Sequence, residues 1–274
     1  AFPAAAQSRA ETLRYVTGAT INTLDTTMPG ATREAFGLSM NVYDRLFSFG
    51  RKKVGENWAF DPDTIRGELA KSYSISPDSK VITITLRSDA TWHDGTPVTA
   101  EDVKWSLDRH VTAKSLAAPQ FTTGSLTKAD QFKIVDPQTV TVTLEKPDRL
   151  ALANLCVCYA IMINSKLAKK HATADDPWAM EWMKTNTAAS GAYIVDSHKP
   201  GESTVLRRNE KWLGGAGGAL PFFKRVIIQT VPEAATRANL IERGDADLAI
   251  DLAASDLPTI EKSPKSKVVS IPQT

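Results

Sequence analysis

The chain has 274 residues, of which 42% are hydrophobic, with 33 Lys and Arg against 31 Asp and Glu. That length suits one or two domains with an ordinary core. The near-neutral balance gives no electrostatic reason to expect nucleic acid or an anionic membrane as partner, and the longest apolar run, about 150–163, is broken by Asn154 and too short to span a bilayer.

Residues 1–11 read as a disordered lead-in or the remnant of a removed export signal, being small and Ala-rich with Ser8-Arg9-Ala10 loosely like a cleavage site. Thr12 to Val16 alternates as a first strand, and a loop rich in Thr, Asn and Asp follows from Gly18 to Pro29. Phe36, Met40, Tyr43 and Phe47 recur at helical spacing beside Ala35, Leu38, Val42 and Leu46, which predicts a helix with a wide apolar face. Arg51-Lys52-Lys53, the largest basic cluster, reads as a solvated hairpin edge.

From about 49 to 144 the pattern is strand-rich: a hairpin pair at 72–76 and 80–86, a helix at 100–109, and a second pair at 131–135 and 139–144. Asp136-Pro137-Gln138 turns the second pair, and Ile134, Val140, Val142 and Leu144 are assigned to its buried side. The helix carries the strongest local signals. Asp94-Gly95 is a turn pair, with Gly95 free to take positive φ. Thr99 is an N-cap, and Asp102 three places on is able to close a capping box, although Glu or Gln is the more usual partner. Val103, Leu107 and Trp105 form its apolar side; Asp102, Ser106, Asp108 and Arg109 are expected on a wet side. His93-Asp94 is not read as a catalytic pair, because adjacent residues rarely face each other and no nucleophile signal accompanies them.

Cys156 and Cys158 are the two cysteines. On a strand they would share a face, and a bond between them would close a strained ring. They read as core or pocket-wall thiols. The four histidines are scattered, so no metal ligand set is expected. Further on, Tyr159 to Ile163 reads as a strand, and Asp176-Pro177 opens a helix on which Trp178 and Trp182 lie one turn apart. Residues 191–195 and 203–208 form a hairpin around Lys199-Pro200-Gly201. Gly214 to Gly218 reads as a flexible surface loop and lacks the order of a phosphate loop. A strand at 223–230, a helix from Pro232 to the C′ residue Gly244, a short strand at 245–249 and a helix at 255–261 complete the chain.

Three stretches together carry a resemblance: Leu69-Ala70-Lys71-Ser72-Tyr73, the Thr-rich run Ile82 to Arg87, and His93-Asp94-Gly95-Thr96-Pro97-Val98-Thr99-Ala100-Glu101-Asp102-Val103. This pattern resembles the extracytoplasmic solute-binding proteins of peptide and nickel ABC importers, the dipeptide- and oligopeptide-binding family 5. Asn41 to Phe47, Arg208-Asn209 with Trp212, and Gly244 to Ala249 fit the same family's rhythm. Departures are Tyr73 for Trp, Ala192 for Pro, Lys211 for Tyr, Asp245 for Glu and Ala246 for Ile.

The resemblance implies a mixed α/β fold: a periplasmic-binding-protein-like lobe (type II, cluster C-like) with an inserted strand-rich subdomain. It implies a discontinuous first lobe, 12–48 with 145–274, an inserted subdomain at 49–144, and a second lobe absent from this chain, so that the sequence reads as a first-lobe fragment or truncated form. A missing return strand would leave a sheet edge uncovered. The implied function is capture of a peptide or similar small solute in the periplasm and its delivery to the permease subunits of an ABC importer. No enzymatic step, cofactor, nucleic acid or membrane insertion is expected. The residues the resemblance places at a ligand cleft are Thr20, Asn22 and Leu24 in the loop after the first strand, Phe121 as an apolar wall, and Val157 and Cys158. Tyr43 is assigned to the core and Asp25 to a local cap. The rival readings are a ligand-sensing or interaction domain of the same fold and, with no Gly-x-Ser-x-Gly or His-Glu-x-x-His present, a hydrolase.

Overall fold

The computed structural model describes residues 9–212 and 219–269. Residues 1–8 of the expected lead-in and the expected loop at Gly214–Gly218 lie outside them. In chain order the elements are β1 (Thr12–Thr17), α1 (Arg33–Val42), β2 (Phe47–Val54), β3 (Asn57–Gly67), β4 (Ala70–Ile75), β5 (Val81–Leu86), α2 (Ala100–Thr112), α3 (Ala117–Thr122), β6 (Phe132–Asp136) and β7 (Thr139–Thr143). Then come α4 (Leu150–Asn154), α5 (Ser165–Lys169), α6 (Met180–Met183), β8 (Tyr193–Lys199), β9 (Ser203–Arg208), β10 (Arg225–Thr230), α7 (Ala234–Arg243), β11 (Leu248–Ala249) and α8 (Leu257–Lys262).

The chain divides into two units. The first comprises 1–22, 193–208 and 221–274; the second comprises 23–192 and 209–220. The segment expected as an insertion, 49–144, falls wholly within the second unit, together with 145–192.

The first unit is built on one sheet of order β11-β1-β10-β9-β8. β1 runs parallel to both β10 and β11, while β8 and β9 form the antiparallel hairpin expected around Gly201. Gly201 takes φ +79 in that turn, where its missing Cβ removes the strain. α7 connects β10 to β11 and stops at Gly244, which adopts the left-handed cap with φ 75.

The second unit has a four-stranded antiparallel sheet of order β4-β5-β7-β6 and a separate two-stranded ribbon of β2 and β3. Strict alternation in β5 and β7 puts Ile82, Ile84, Leu86, Val140 and Val142 into the core, where α2 adds Val103 and Leu107. The edge strand β6 departs from expectation: Phe132 is buried but Ile134 is 42% exposed. Ile134 pairs with Val140 on an edge, so one flank has no neighbouring strand in the sheet to cover it.

Three other expectations are corrected. α1 ends at Val42, and Phe47 lies on β2 instead of continuing the helical stripe. The Val42 carbonyl accepts from Gly191 N at 2.8 Å, and Tyr43 turns extended, so the buried face is Ala35, Leu38, Ser39 and Val42 while Met40 is exposed. Between 155 and 163 the backbone is turn and coil with a bridge from Ile161 to Arg45, so the cysteines do not share a strand face. The helix near Asp176 is reduced to α6, with Trp178 edge-on to Trp105 at 5.3 Å and Trp182 stacked on His171 at 4.2 Å. Asp176 accepts the amides of Met180 and Glu181 at 2.9 and 2.8 Å, which caps that turn from four residues upstream.

The largest correction is on α2. Most of its expected wet side is buried: Asp102, Ser106 and Arg109 are each at most 1% exposed, and only Asp108 stays half-exposed, paired with Lys104 at 2.8 Å. The capping box forms, with Thr99 N and Oγ1 donating to Asp102 Oδ2 at 3.0 and 2.8 Å. The other carboxylate oxygen, Oδ1, accepts from Ser165 N and Oγ, at 3.0 and 2.6 Å. Ser106 Oγ accepts from Ile163 N at 2.9 Å. The polar side of α2 is therefore a buried peg board for segments 161–165 and 91–99, and burial is tolerated because Asp102 and Ser106 find partners there.

Candidate functional site

In open α/β sheets, ligands bind beyond the carboxyl ends of parallel strands, because the loops that leave those ends converge there. In the first unit three loops leave the carboxyl ends of β1, β10 and β11: residues 18–22, 231–233 and 250–254. One side chain ties the second and third together and lies against Gly18 of the first. Arg237, 3% exposed on α7, donates through Nε to Ile250 O at 3.1 Å and through Nη1 to Val231 O and Pro232 O at 2.6 and 2.7 Å. Its Nη2 donates to Asp251 O. A planar guanidinium with five fixed donors suits this task, since it satisfies several carbonyls at once. Gly18 leaves the room: a Cβ there would lie 3.0 Å from Arg237 Nη1.

The strand ends are also tied by backbone bonds, Val231 N to Thr17 O at 2.8 Å and Ile250 N to Val16 O at 3.4 Å. Thr20 lies on this rim, and its Oγ1 accepts from Gly201 N at 2.7 Å, anchoring the first loop to the β8–β9 turn. Asn22 is exposed at the end of the same loop. Two of the expected cleft residues thus sit together on one ordered rim. Arg237, the residue that orders it, was not singled out from sequence. Its place beside Ala238 on the buried side of α7 becomes a signal only once that helix is set against the strand ends.

The other four expected residues belong to the second unit. Leu24 is 1% exposed, and its amide donates to Lys184 O at 2.8 Å. Phe121 is fully buried and packs against the His110 ring at 5.2 Å. Both are core side chains here. Val157 and Cys158 are half-buried on the turn after α4, beside Tyr159, which meets Phe36 edge-on at 5.3 Å. Both thiols are free; burial pushes Cys156 up to about 12 and raises Cys158 as well, so both are protonated thiols near neutral pH. Among the described residues no group of three His, Cys, Asp or Glu is placed to hold a metal ion.

The loop carrying Leu24 is held from below by an ion pair. Asp25 and Arg109 are paired with both side chains 0% exposed. Asp25 Oδ1 also accepts from Thr27 N and Oγ1 at 2.9 and 2.7 Å, the local cap expected from sequence, and Arg109 Nη1 donates to Thr27 Oγ1 at 2.9 Å. Arg109 Nε donates to Trp178 O at 3.3 Å. Next to it, burial and the Arg109 charge lower His110 to about 4, so the ring is neutral at pH 7 and donates Nε2–H to Ile161 O at 2.8 Å. His93 spends Nε2 on Gly191 O at 3.0 Å. These groups have structural partners.

A small pocket in the second unit is lined by Asp44, Glu68, Arg87, Ser190, Lys211 and Trp212. Trp212 Nε1 donates to both Asp44 oxygens, at 3.1 and 3.3 Å, and Glu68 pairs with Arg45 at 2.5 Å. Burial, reinforced by the nearby Glu68 charge, raises the Asp44 carboxyl to about 7.

Comparison with known proteins gives a consistent picture. Residues 64–274 match the family described as bacterial extracellular solute-binding proteins, family 5 Middle. The chain is 34% identical over 230 residues to the "Probable D,D-dipeptide-binding periplasmic protein DdpA" of Escherichia coli (strain K12), covering 84% of this chain and 41% of that protein. The solved structure of the PBP AgaA in complex with agropinic acid, from A. tumefaciens R10, superposes with a TM-score of 0.74 at 26% identity, over 92% of this chain and 46% of that one. The DppA protein of Helicobacter pylori in complex with the peptide STSA shares the fold, with a TM-score of 0.74 at 21% identity over 92% and 49% of the two chains. The chain spans under half the length of each of these relatives.

Proposed function

From the premise that this chain belongs to the bacterial extracellular solute-binding proteins, family 5, we propose that the whole protein captures a peptide-like small solute outside the cytoplasmic membrane and delivers it to the permease of an ABC importer. The observation that carries the reading is the rim at the carboxyl ends of β1, β10 and β11, ordered by Arg237 and bearing Thr20 and Asn22. The backbone groups of residues 20–22 and the Asn22 amide offer donors and acceptors suited to a peptide backbone. Val157 and Cys158 form a second, apolar contact patch in the second unit. Leu24 and Phe121 act by supporting the loops from within, consistent with their burial.

Binding alone is the function proposed, with no bond made or broken in the solute. Solute capture in this reading is a population shift: the solute favours whichever conformation lets it touch more protein. The names of relatives point to dipeptides and to agropinic acid, so the substrate class is small, polar and carboxylate-bearing. Uptake of a radiolabelled D,D-dipeptide and a labelled opine, in cells with and without the protein, tests the reading. Loss of uptake of either solute on deletion is expected. Unchanged uptake of both, with no stoichiometric heat when the purified full-length protein is titrated with them, overturns it.

A further inference from the structure

The basic cluster Arg51-Lys52-Lys53 reads in sequence as a plain solvated edge, but the structure gives it aromatic company. In the β2–β3 ribbon, Arg51 pairs with Phe60 and Lys53 with Trp58. Directly opposed residues of an antiparallel pair project to the same face. One face of the ribbon therefore presents Arg51, Lys53, Trp58 and Phe60 together. Trp58 and Phe60 are 64% and 63% exposed, and Val54 at the end of β2 is 58% exposed. Lys53 Nζ lies 5.8 Å from the Trp58 ring centroid. On the opposite face Lys52 pairs with Asp61 at 3.5 Å, and the exposed Glu56 sits in the turn.

This ribbon is a two-stranded sheet of its own. An isolated hairpin of this kind is marginal in water, and grouped exposed aromatics mark an interaction surface. The chemistry selects the occupant. Tryptophan and phenylalanine flanked by Lys and Arg suit a headgroup region, where rings sit at the acyl boundary and cations meet lipid phosphates. A second copy of the chain fits poorly, because it would set Arg51 and Lys53 against their own duplicates.

We infer that the Arg51–Phe60 face of the β2–β3 ribbon docks reversibly on an anionic phospholipid surface. The contact is interfacial: no helix among the described residues is long and apolar enough to cross a membrane, and four side chains form a peripheral anchor. The ribbon's own residues support this contact, without recourse to the solute-binding reading.

The test is flotation of the full-length protein with phosphatidylcholine vesicles and with vesicles of phosphatidylcholine and phosphatidylglycerol. Binding to the anionic vesicles is expected, falling as salt rises. The Trp58→Ser/Phe60→Ser variant should bind at least about tenfold more weakly, and Arg51→Glu/Lys53→Glu should lose a similar factor. Because these side chains are exposed, both variants should melt as the wild type does. At saturating anionic lipid, brominated lipid should quench tryptophan fluorescence in the wild type and quench it less in Trp58→Phe. No flotation with anionic vesicles, equal flotation with neutral ones, or binding untouched by both double variants would overturn the inference. Failure to bind vesicles alongside tight binding to an acidic protein partner would overturn it too, and would leave the solute-binding reading intact.

Discussion

The two units bury charge in opposite ways. In the second unit, Arg109 meets a carboxylate, Asp25, and the pair is sealed from water on α2. In the first unit, Arg237 donates to four backbone carbonyls, Val231, Pro232, Ile250 and Asp251. A sealed ion pair fixes one loop firmly and is intolerant of losing either partner. A guanidinium on carbonyl dipoles gathers several loops at once. The difference teaches that buried charge in this protein holds loops in place: an internal strut in one unit, an organiser of the strand-end rim in the other.

Breaking the strut should have the largest effect. Asp25→Ala leaves Arg109 charged and unpaired in a dry site, and should destabilise the second unit by about 3–5 kcal/mol in urea unfolding. The double variant Asp25→Leu/Arg109→Met should recover much of that loss, because no lone charge remains. Arg237→Leu comes next. It strands buried carbonyls and should cost roughly 2–4 kcal/mol, with the amides of Val231 and Ile250 exchanging faster than in the wild type.

Asp44 sharpens the comparison through pH. Its folded pKa, about 7, lies above that of an unfolded carboxyl, so the folded state prefers the protonated form. Its favourable contribution is fully present below about pH 4 and is lost as pH rises through about 7. Asp44→Asn should therefore gain stability over the wild type between pH 5 and pH 8, by an amount on the order of 1–3 kcal/mol. A stability difference that stays flat across that range would show that Trp212 and Arg45 keep the carboxylate ionised. The smallest effect is expected at Thr20→Val, which removes the bond to Gly201 N and should cost about 1 kcal/mol.

Local rules were legible where a residue acts on its own neighbours. Thr99 and Asp102 cap α2, Gly244 stops α7, and Gly201 turns the β8–β9 hairpin, all as sequence predicts. What escaped depends on distant partners. Polarity at Asp102, Ser106 and Arg109 reads as a wet face because sequence does not reveal that Ser165, Ile163 and Asp25 arrive to satisfy them. Likewise α1 stops at Val42 because Gly191, far along the chain, takes the Val42 carbonyl. Trp178 and Trp182 share helical spacing but choose Trp105 and His171. At the candidate rim, Thr20 and Asn22 are what the family resemblance implies, whereas Arg237 is visible only once the strand ends are placed.

The solute should meet the rim that Arg237 packs against. Native mass spectrometry of the full-length protein, purified without denaturant, tests this against Asn22→Trp, a bulky change at an exposed position. The wild type should carry a non-covalent adduct with the mass of a small peptide-like solute, and the variant should arrive empty with an unchanged melting temperature. Equal adduct on both proteins, or none on either after titration with dipeptides and opines, would contradict the account.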